Sequence, residues 1–555
     1  MSEDPDSFNE AVKSQNKNLL VVAPPGCGKT ELLALRAERL IDSLDRGEKI
    51  LALTFSNKAK ANLSTRLAQV LGSEQMRRFV SVHNFHGHAA EIVRAHGNTL
   101  GIRQDFAMPN KHSQNAAIEP NLKGLPENEA HELRLLIEEQ LRDAKQGPRD
   151  DARVLERLRD ADDHTILVET ERQSSDLMFY DDLLRHAQRL LRVPEISHLY
   201  HAHYGAVLVD EFQDLSPQQL DIALRSSSRS RTFVGDPLQG IYSWTGARPI
   251  QVEKILRRIS GPPRGLGVSY RSSPQVLNLL GIVSSRLGGQ TLQCHDPSRW
   301  FDGGITAGVA FSTGVAEADF IHATCLKILE GQPHATIGII CRSGWRRKTV
   351  DAEFLSRGTP CTRWDLAVDD ARIVDLIRDG LLRLGGSPTL ESLKDELLSS
   401  IDSADVDTAS DISDALGQLE SLAVDAGSLE AALAQLHVRE NSTEAIQPGV
   451  HLLNAHTGKG QQFDWVIIPG FENGNMPSFL ARGQAQLSEE YRVLLVMLSR
   501  ARHGVIITRA KTLISKKGKA YSPDPSPWIT DIRAGLITNA TGLVDHIERT
   551  PQSTA

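Results

Sequence analysis

The stretch of this chain best suited to chemistry lies near its start, directly after an apolar run. It reads Ala23-Pro24-Pro25-Gly26-Cys27-Gly28-Lys29-Thr30. The two glycines let the backbone turn tightly, so that successive N–H groups can converge on phosphate oxygens. The Lys29 ammonium can neutralise the β- and γ-phosphates of ATP, and the Thr30 hydroxyl can bind Mg²⁺. We therefore predict an ATP and Mg²⁺ site here. An ordinary glycine turn before a helix is the alternative interpretation.

A second candidate site is the pair of acids at Asp210 and Glu211, which follows the apolar run Val207-Leu208-Val209. In phosphoryl hydrolysis, one carboxylate holds Mg²⁺ and another activates water. Asp210 suits the first role and Glu211 the second. Taken alone, two acids after a strand most often mark the start of a helix. Beside a phosphate loop in the same sheet, they favour hydrolysis.

The elements that must position these residues alternate between strand and helix. Apolar, β-branched runs at 19–22, 49–55, 205–210 and 232–236 read as buried strands, and helical patterns follow them. This rhythm predicts an α/β fold with a parallel sheet, whose ligands bind at the carboxyl ends of the strands. Ala23 replaces the first glycine of the usual phosphate-loop pattern, but it is small enough for close packing. A second α/β unit begins near residue 267.

Two stretches interrupt this rhythm and read as mainly helical insertions. The first insertion spans residues 106–194; within it, residues 133–158 alternate charged residues with leucines at helical spacing, which indicates a mostly solvated charged face. The second insertion spans residues 373–445. Residues 391–430 contain eleven acidic residues and one basic residue, so they offer a poor surface for a phosphate backbone. We expect this segment to pack, regulate or meet a partner.

Composition limits the class of protein. With 555 residues, 40% hydrophobic and 24% charged, the chain has the make-up of a soluble protein of several domains. It shows no apolar leader and no run of membrane-spanning length, so we expect no membrane association. Its five cysteines form no C-x-x-C pair, which favours a reducing cytoplasm. A net charge of −8 excludes a global positive field for nucleic acid but allows a local groove.

Further motifs follow in a fixed order and resemble those of UvrD/Rep/PcrA-type superfamily 1 DNA helicases. They include Asp-Glu-Phe-Gln-Asp at 210–214 and the segments 54–59, 81–85, 234–247, 270–273, 456–463, 489–492 and 499–501. The resemblance extends over residues from about 8 to 530. It implies two RecA-like parallel-sheet domains, each with a mainly helical insertion. It also implies ATP- and Mg²⁺-dependent 3′→5′ movement on single-stranded or partly duplex DNA.

The resemblance divides the chain as follows. The first RecA-like domain is 1–105 with 195–265, interrupted by the insertion 106–194. The second RecA-like domain is 266–372 with 446–540, interrupted by the reduced acidic insertion 373–445, and residues 541–555 form a tail.

The resemblance also assigns roles to individual residues. Gln239 senses the γ-phosphate or positions water, and Arg271 and Arg500 reach the γ-phosphate from the second unit as arginine fingers. Tyr270 stacks on adenine, and Gln462 lies at a nucleotide-contacting position. Aromatic platforms and phosphate contacts for single-stranded DNA are implied at Thr54, Phe55, Ser56, Asn57, His83, Tyr242, Trp244, Asn454 and His456.

The sequence departs from the family pattern at several positions. No glutamine occurs at residues 7–12 to read adenine, Glu31 stands where arginine is usual, and Thr245, Asn454 and Gln462 replace other residues. The short insertion resembles that of defence-associated UvrD-like helicases, such as the helicase subunit of the Gabija anti-phage system. One hypothesis is a helicase, acting in DNA repair, in plasmid replication or in antiviral defence. The other is a DNA-sensing ATPase subunit that regulates a partner nuclease. A small-molecule kinase is disfavoured, because it gives no reason for the arginine pair or the aromatic loops.

Overall fold

The computed structural model describes residues 6–106, 108–109, 114, 117–241, 246–364, 367–368, 371–385, 389–399, 416, 419, 437–438, 446–455, 458–515 and 518–551. Two parallel sheets organise these residues. We call the described part of residues 6–265, which holds the first sheet, the first lobe. The described part of residues 266–551, which holds the second sheet, is the second lobe.

The first sheet has six parallel strands in the order β3-β2-β4-β5-β1-β6. They are β1 (Asn18–Val22), β2 (Lys49–Thr54), β3 (Val80–Asn84), β4 (Tyr204–Val209), β5 (Ser230–Gly235) and β6 (Arg264–Gly265). Alternate side chains enter opposite cores: Leu19 and Val21 lie on one face, and Leu20 on the other. Both faces are buried because helices cover each side, as parallel sheets require. Because all six strands run in the same direction, the loops that carry the candidate residues leave the sheet together, at the carboxyl ends of its strands.

The α-helices of the first lobe include those that alternate with its strands and those of the segment 106–194, which interrupts that alternation. They are Asp6–Lys13, Lys29–Ile41, Asn57–Leu71, Ser73–Phe79, Phe85–His96, Glu127–Lys145, Asp151–Arg157, Asp163–Ser174, Tyr180–Leu190, Pro194–His203, Pro217–Ser226 and Pro249–Ser260. Short 3-10 turns at Phe212–Asp214 and Pro237–Gln239 follow β4 and β5. These turns hold candidate residues close to the strand ends.

Most charges of residues 133–158 are at least partly exposed, as expected, but Lys145 of this stretch is buried among charges of later helices. Lys145 Nζ lies 2.9 Å from Glu169 Oε2 and 3.0 Å from Asp182 Oδ2, and all three side chains are at most 1% exposed. Arg172 pairs with Glu169, and Arg185 with Asp182. The leucine spacing could not show this, because opposite charges from different helices neutralise each other only after the helices pack.

Lys145→Met is expected to destabilise this helical segment by about 3–5 kcal/mol, because the substitution leaves two buried carboxylates short of a cation. Hydrogen exchange of the amides in helix Glu127–Lys145 measures the loss directly. Lys254→Met, at an exposed position of helix Pro249–Ser260, is the matched control and should change stability by less than about 0.5 kcal/mol. Equal protection of these amides from exchange in both variants would show that the Lys145 contacts do not stabilise the helical segment.

Stability is expected to fall as the pH drops below about 6.5, the ordinary range of histidine. Burial and the nearby His83 lower the pKa of His88 to about 3. At pH values below about 6.5, His88 therefore binds a proton in the unfolded chain but not in the folded chain. The free energy of unfolding falls as the pH drops below this value. His88→Leu should give a shallower decline of Tm between pH 7.5 and 5. His334→Leu, at an exposed histidine, should leave the decline unchanged.

The second sheet has seven strands, in the order β11-β14-β10-β15-β16-β17 with β9 also pairing with β16. They are β9 (Ile305–Thr313), β10 (Thr336–Cys341), β11 (Thr362–Arg363), β14 (Gly449–Asn454), β15 (Phe463–Ile468), β16 (Ala501–Ile514) and β17 (Ala520–Tyr521). Two short pairs lie outside it, β7 (Val268–Ser269) with β8 (Gln293–Cys294) and β12 (Ala367–Val368) with β13 (His437–Val438). Every pairing in the second sheet is parallel except that of β16 with β17.

The second lobe has its own α-helices, most of which cover its sheet. They are Pro274–Arg286, Gly314–Gly331, Gly344–Ser356, Ala371–Leu384, Leu390–Ser399, Gln484–Leu498, Ile529–Ile532 and Ala540–Arg549. The last helix lies in the segment predicted as a tail, and its Leu543 and Ile547 are buried in the core of the second sheet. Most of the acidic stretch 391–430 lies outside the described residues. None of the described helices has the length and apolar character needed to cross a membrane.

Two parallel sheets with helices on their faces confirm the predicted α/β fold class of two RecA-like units. The strand order itself was not predicted, since it depends on pairings between residues that are distant in the chain.

Candidate active site

A cavity of about 780 Å³ lies between the two lobes, at the edge of the first sheet where the strands β1, β2, β4 and β5 end. The first lobe contributes the phosphate loop and the acids. The second lobe contributes Tyr270, Arg271, Lys459, Gln462 and Arg500. Most residues predicted from sequence to bind nucleotide therefore line one space. The exceptions, Ala23 and Cys27, lie buried behind it.

The phosphate loop has the conformation that its glycines predict. Gly26 and Gly28 have φ values of +81° and +80°, and helix Lys29–Ile41 begins immediately after Gly28. Ala23 N–H donates to the Gly235 carbonyl at 2.9 Å, which fixes the start of the loop to β5. A Cβ on Gly26 would lie 2.7 Å from Arg271 Cβ, so only glycine allows the second lobe to approach. Tyr270 N–H donates to the Gly26 carbonyl at 2.9 Å.

Lys29 lies among the carboxylates of the cleft, and its Nζ is 3.2 Å from Glu211 Oε2. Burial opposes its charge, but Glu211, Asp236 and Asp210 hold the pKa of Lys29 above the ordinary lysine value. Burial and the neighbouring Glu211 raise the pKa of Asp210 to about 7. Burial acts against the charge of Glu211 too, but Lys29 and Lys459 lower its pKa. Glu211 thus stays ionised, which a proton acceptor needs.

Glu211 is held in an unusual backbone conformation. Its φ and ψ are both 51°, in the left-handed region that costs a non-glycine residue about 1–2 kcal/mol. Gln213 fixes the side chain, because its Nε2 donates to Glu211 Oε2 at 2.7 Å and its Oε1 accepts from Asp236 N–H at 2.9 Å. Such strain persists where the surrounding contacts determine the conformation, and it is typical of functional sites.

The residues at this edge of the sheet fit Mg²⁺. Asp210 and Thr30 line the same cavity and supply carboxylate and hydroxyl oxygens, the donors that Mg²⁺ prefers. The raised pKa of Asp210 shows a buried carboxylate whose negative charge a divalent cation would stabilise. Thr30 and Asp210 are therefore the residues that would hold the ion.

The two arginines predicted as fingers both reach this cavity. Arg500 Nη2 donates to Gln239 Oε1 at 3.1 Å, and Gln239 Nε2 donates to Asp236 Oδ2 at 2.9 Å. Arg271 Nη1 donates to the Ser499 carbonyl at 3.4 Å. Burial, Arg500 and Arg502 lower the pKa of Arg271 to about 9. Mutually repelling guanidinium groups in one cleft would be stabilised by an anion such as a phosphate.

Two of the departures from the family pattern, Glu31 and Gln462, lie at the candidate base-binding end of the cavity, with Tyr270. Tyr270 is 52% exposed and packs on His295, with ring centroids 4.3 Å apart. Glu31 lines the cavity and forms an ion pair with Arg66. Gln462 accepts a hydrogen bond from Arg502 Nη2 at 3.3 Å.

The residues predicted to contact DNA occupy several different environments. Phe55, Ser56 and Asn57 line the same cavity as the phosphate loop. Thr54 is fully buried and donates to the Ser56 carbonyl at 3.2 Å, so it supports this loop from behind. His83 pairs with Glu91 at 3.2 Å, and Asn454 ends β14. Tyr242, Trp244 and His456 lie outside the described residues.

Some residues of the cleft were not predicted as site residues from the sequence. Asp214 and Lys459 line the cavity, whereas Gln213 and Asp236 bond to its residues Glu211 and Gln239. These four residues occur within the quoted motifs, which is the signal that could have identified them. Arg299 and Trp300 also line the cavity, but no sequence motif marks them.

The fold and the cleft define a phosphate-loop nucleotide hydrolase with two parallel-sheet lobes. Residues 5–259 match the UvrD/REP helicase N-terminal domain, and residues 390–512 match the UvrD-like helicase C-terminal domain. The chain belongs to the UvrD/REP helicase family of superfamily 1, which confirms the resemblance and makes it an ATP-hydrolysing enzyme.

Curated relatives agree with this assignment. The ATP-dependent DNA helicase PcrA of Staphylococcus epidermidis is 23% identical over 652 aligned positions, covering 96% of this chain and 87% of the relative. PcrA of Staphylococcus aureus is 25% identical over 386 positions, covering 64% of this chain and 50% of the relative.

Proposed function

We propose that this protein is an ATP-dependent translocase on single-stranded DNA that unwinds partly duplex DNA in the 3′→5′ direction. The observation that carries the proposal is the cavity between the lobes, which has Lys29 and Glu211 on one wall and Arg271 and Arg500 on the other. A nucleotide bound there would contact both lobes at once. Its binding and release can therefore open and close them.

The chemistry assigned to the chain is hydrolysis of the γ-phosphate. Glu211 accepts a proton from the attacking water while the bond between the γ-phosphate and ADP breaks. Lys29, Arg271 and Arg500 stabilise the charge that develops on the phosphate oxygens. Gln239 orients the water or the phosphate. Mg²⁺ held by Thr30 and Asp210 would supply further neutralisation of phosphate charge.

Movement along DNA follows from the position of the candidate DNA loops. Phe55, Ser56 and Asn57 extend from β2 of the first lobe, and Asn454 ends β14 of the second. Opening and closing the lobes would change the separation of these contacts. Stacking on aromatic side chains, at about 1–3 kcal/mol per base, would let each lobe hold the strand in turn.

The five free thiols fit a reducing cytoplasm.

The proposal is tested by measuring ATPase activity with and without single-stranded DNA, and unwinding of duplexes with a 3′ or a 5′ tail. We expect DNA to stimulate ATP hydrolysis and only the 3′-tailed duplex to be unwound. A preference for the 5′ tail would overturn the polarity. DNA-stimulated hydrolysis without any unwinding would instead favour the DNA-sensing subunit of a nuclease complex. Equal rates with and without DNA would contradict both functions.

A further inference from the structure

Arg299 and Trp300 line the cavity between the lobes, although no motif of the sequence marks them. Both lie between β8 and β9, in residues 295–304, which we call the rim segment. Arg299 is exposed and Trp300 is half-buried, and both face the cleft. Aromatic rings and guanidinium planes are the surfaces on which nucleobases stack in proteins. The rim segment therefore carries side chains suited to the nucleoside part of a nucleotide.

The rim segment begins directly beside Tyr270. The His295 N–H donates to the Ser269 carbonyl at 2.9 Å, and the His295 ring packs on Tyr270 with ring centroids 4.3 Å apart. Tyr270 lines the same cavity. The rim segment thus continues the wall of the second lobe that Tyr270 begins.

The backbone on both sides of Trp300 is fixed by two short 3-10 turns, Pro297–Arg299 and Phe301–Gly303. Asp296 Oδ1 caps the first turn, accepting from the Ser298 N–H at 3.1 Å and from Ser298 Oγ at 2.6 Å. The Trp300 N–H and carbonyl both bond within these turns, at 3.3 Å and 3.0 Å. A side chain on such a preorganised turn loses less conformational entropy when a ligand binds.

The Trp300 ring is also supported from behind by two histidines. Its centroid lies 6.2 Å from that of His503, which packs on Trp465 at 4.8 Å. His503 Nε2 lies 3.2 Å from Nε2 of His546, in helix Ala540–Arg549. Burial and the neighbouring His546 lower the pKa of His503 to about 4, so at neutral pH this ring is uncharged and the two histidines share a hydrogen bond. The indole therefore faces the cleft from a packed support.

The other arginines predicted to contact nucleotide belong to the phosphate end of the cavity. Arg271 lies against Gly26 of the phosphate loop, and Arg500 bonds to Gln239. The rim segment reaches the cavity through Tyr270 instead, whose N–H donates to the Gly26 carbonyl at 2.9 Å. A nucleotide with its phosphates on the loop extends its nucleoside past Gly26, toward Tyr270 and the rim segment.

We propose that Trp300 and Arg299 bind the nucleoside of the nucleotide, with the indole and the guanidinium stacking on the base beside Tyr270. This inference rests on the proposed function, which places a nucleotide in this cavity. Stacking uses the face of a base and not its hydrogen-bonding edge, so these residues strengthen the binding of adenine and guanine nucleotides alike. The contact is the same before and during hydrolysis, so it lowers KM and leaves kcat unchanged.

The test measures binding of ADP, GDP and inorganic tripolyphosphate to the full chain by calorimetry, each with Mg²⁺. Trp300→Ala should weaken ADP and GDP by about tenfold each, the effect of losing one stacked base, and should leave tripolyphosphate unchanged because it has no nucleoside. Trp300→Phe keeps an aromatic ring and should recover most of the affinity. Arg299→Ala should weaken both nucleotides by about threefold. In ATPase assays KM should rise in both alanine variants, with kcat changed by less than about twofold.

Phe479→Ala and Arg482→Ala are the matched controls, since they remove an exposed ring and an exposed guanidinium elsewhere in the second lobe, and both should bind ADP normally. Unchanged ADP binding in Trp300→Ala would overturn the inference. An equal loss of tripolyphosphate binding would also overturn it, because Trp300 would then support the fold or the phosphate end. A loss confined to one of the two bases would exclude stacking. A wild-type chain that binds none of the three ligands would instead overturn the proposed function.

Discussion

Arg500→Ala is expected to lower the kcat for ATP hydrolysis by about 10³–10⁵, the effect of removing an arginine finger. The guanidinium is held toward the cleft by Gln239 Oε1 at 3.1 Å and by the Val496 carbonyl at 3.0 Å. Its charge stabilises a phosphate that is becoming more negative, so kcat should fall much more than the affinity for ATP. Single-turnover hydrolysis and nucleotide binding, measured on the same variant, separate these two quantities.

The controls for Arg500→Ala are a conservative change of the same residue and alanine substitutions of two other arginines. Arg500→Lys keeps the charge but loses the planar fork and should recover only part of the rate. Arg271→Ala should also reduce kcat, and the two losses should not multiply if both side chains act on one phosphate. Arg257→Ala, at an exposed helical position, should leave kcat unchanged. If kcat fell by less than tenfold in Arg500→Ala, Arg500 would not stabilise the transition state as an arginine finger does.

Glu211→Gln is expected to lower kcat by about 10²–10⁴, because the amide cannot accept a proton from water. The substitution keeps the size of the side chain, and so ATP binding should survive. Lys29→Ala should lose both hydrolysis and tight binding of ATP, since the lysine meets the phosphates in the ground state and in the transition state. Rapid-quench hydrolysis and equilibrium binding of a fluorescent ATP analogue distinguish the two variants.

The matched controls are Glu195→Gln and Lys254→Ala, which change exposed residues of the same types in the first lobe. Both should hydrolyse ATP at the wild-type rate. If Glu211→Gln retained full activity, another group would have to act as the base. Nearby acids include Asp210, Asp214 and Asp236, all with a pKa raised by burial.

Local sequence predicted the parts of the site that one segment builds alone. The phosphate loop needs a strand, two glycines and a helix in immediate succession, so its form could be recognised within residues 19–40. The acids at 210 and 211 follow the end of a strand, and parallel strands place their carboxyl ends together. The two α/β units also followed from strand–helix alternation. Roles for Gln239, Arg271 and Arg500 came from the order of the motifs, and they remain predictions.

The surroundings of individual side chains could not be predicted from local sequence, because burial and ion pairing depend on how distant segments pack. Thr54 was assigned to DNA by its motif, yet it lies beneath its loop, because the last residue of β2 points into the core. Lys145 appeared in a helix rich in surface charges, but its carboxylate partners come from two other helices. No periodicity in a single helix contains that information.

Residue types at short spacing and the order of the motifs were enough to predict the candidate nucleotide loop, the pair of acids, the α/β class and the family. Three features are visible in the folded chain alone: Lys459 bonds to Asp214 and Gln239, Arg500 bonds to Gln239, and Glu211 adopts a left-handed conformation. The first two are contacts between lobes, and residues distant in the chain share no local pattern. The third is a strained backbone state that only the surrounding packing can hold.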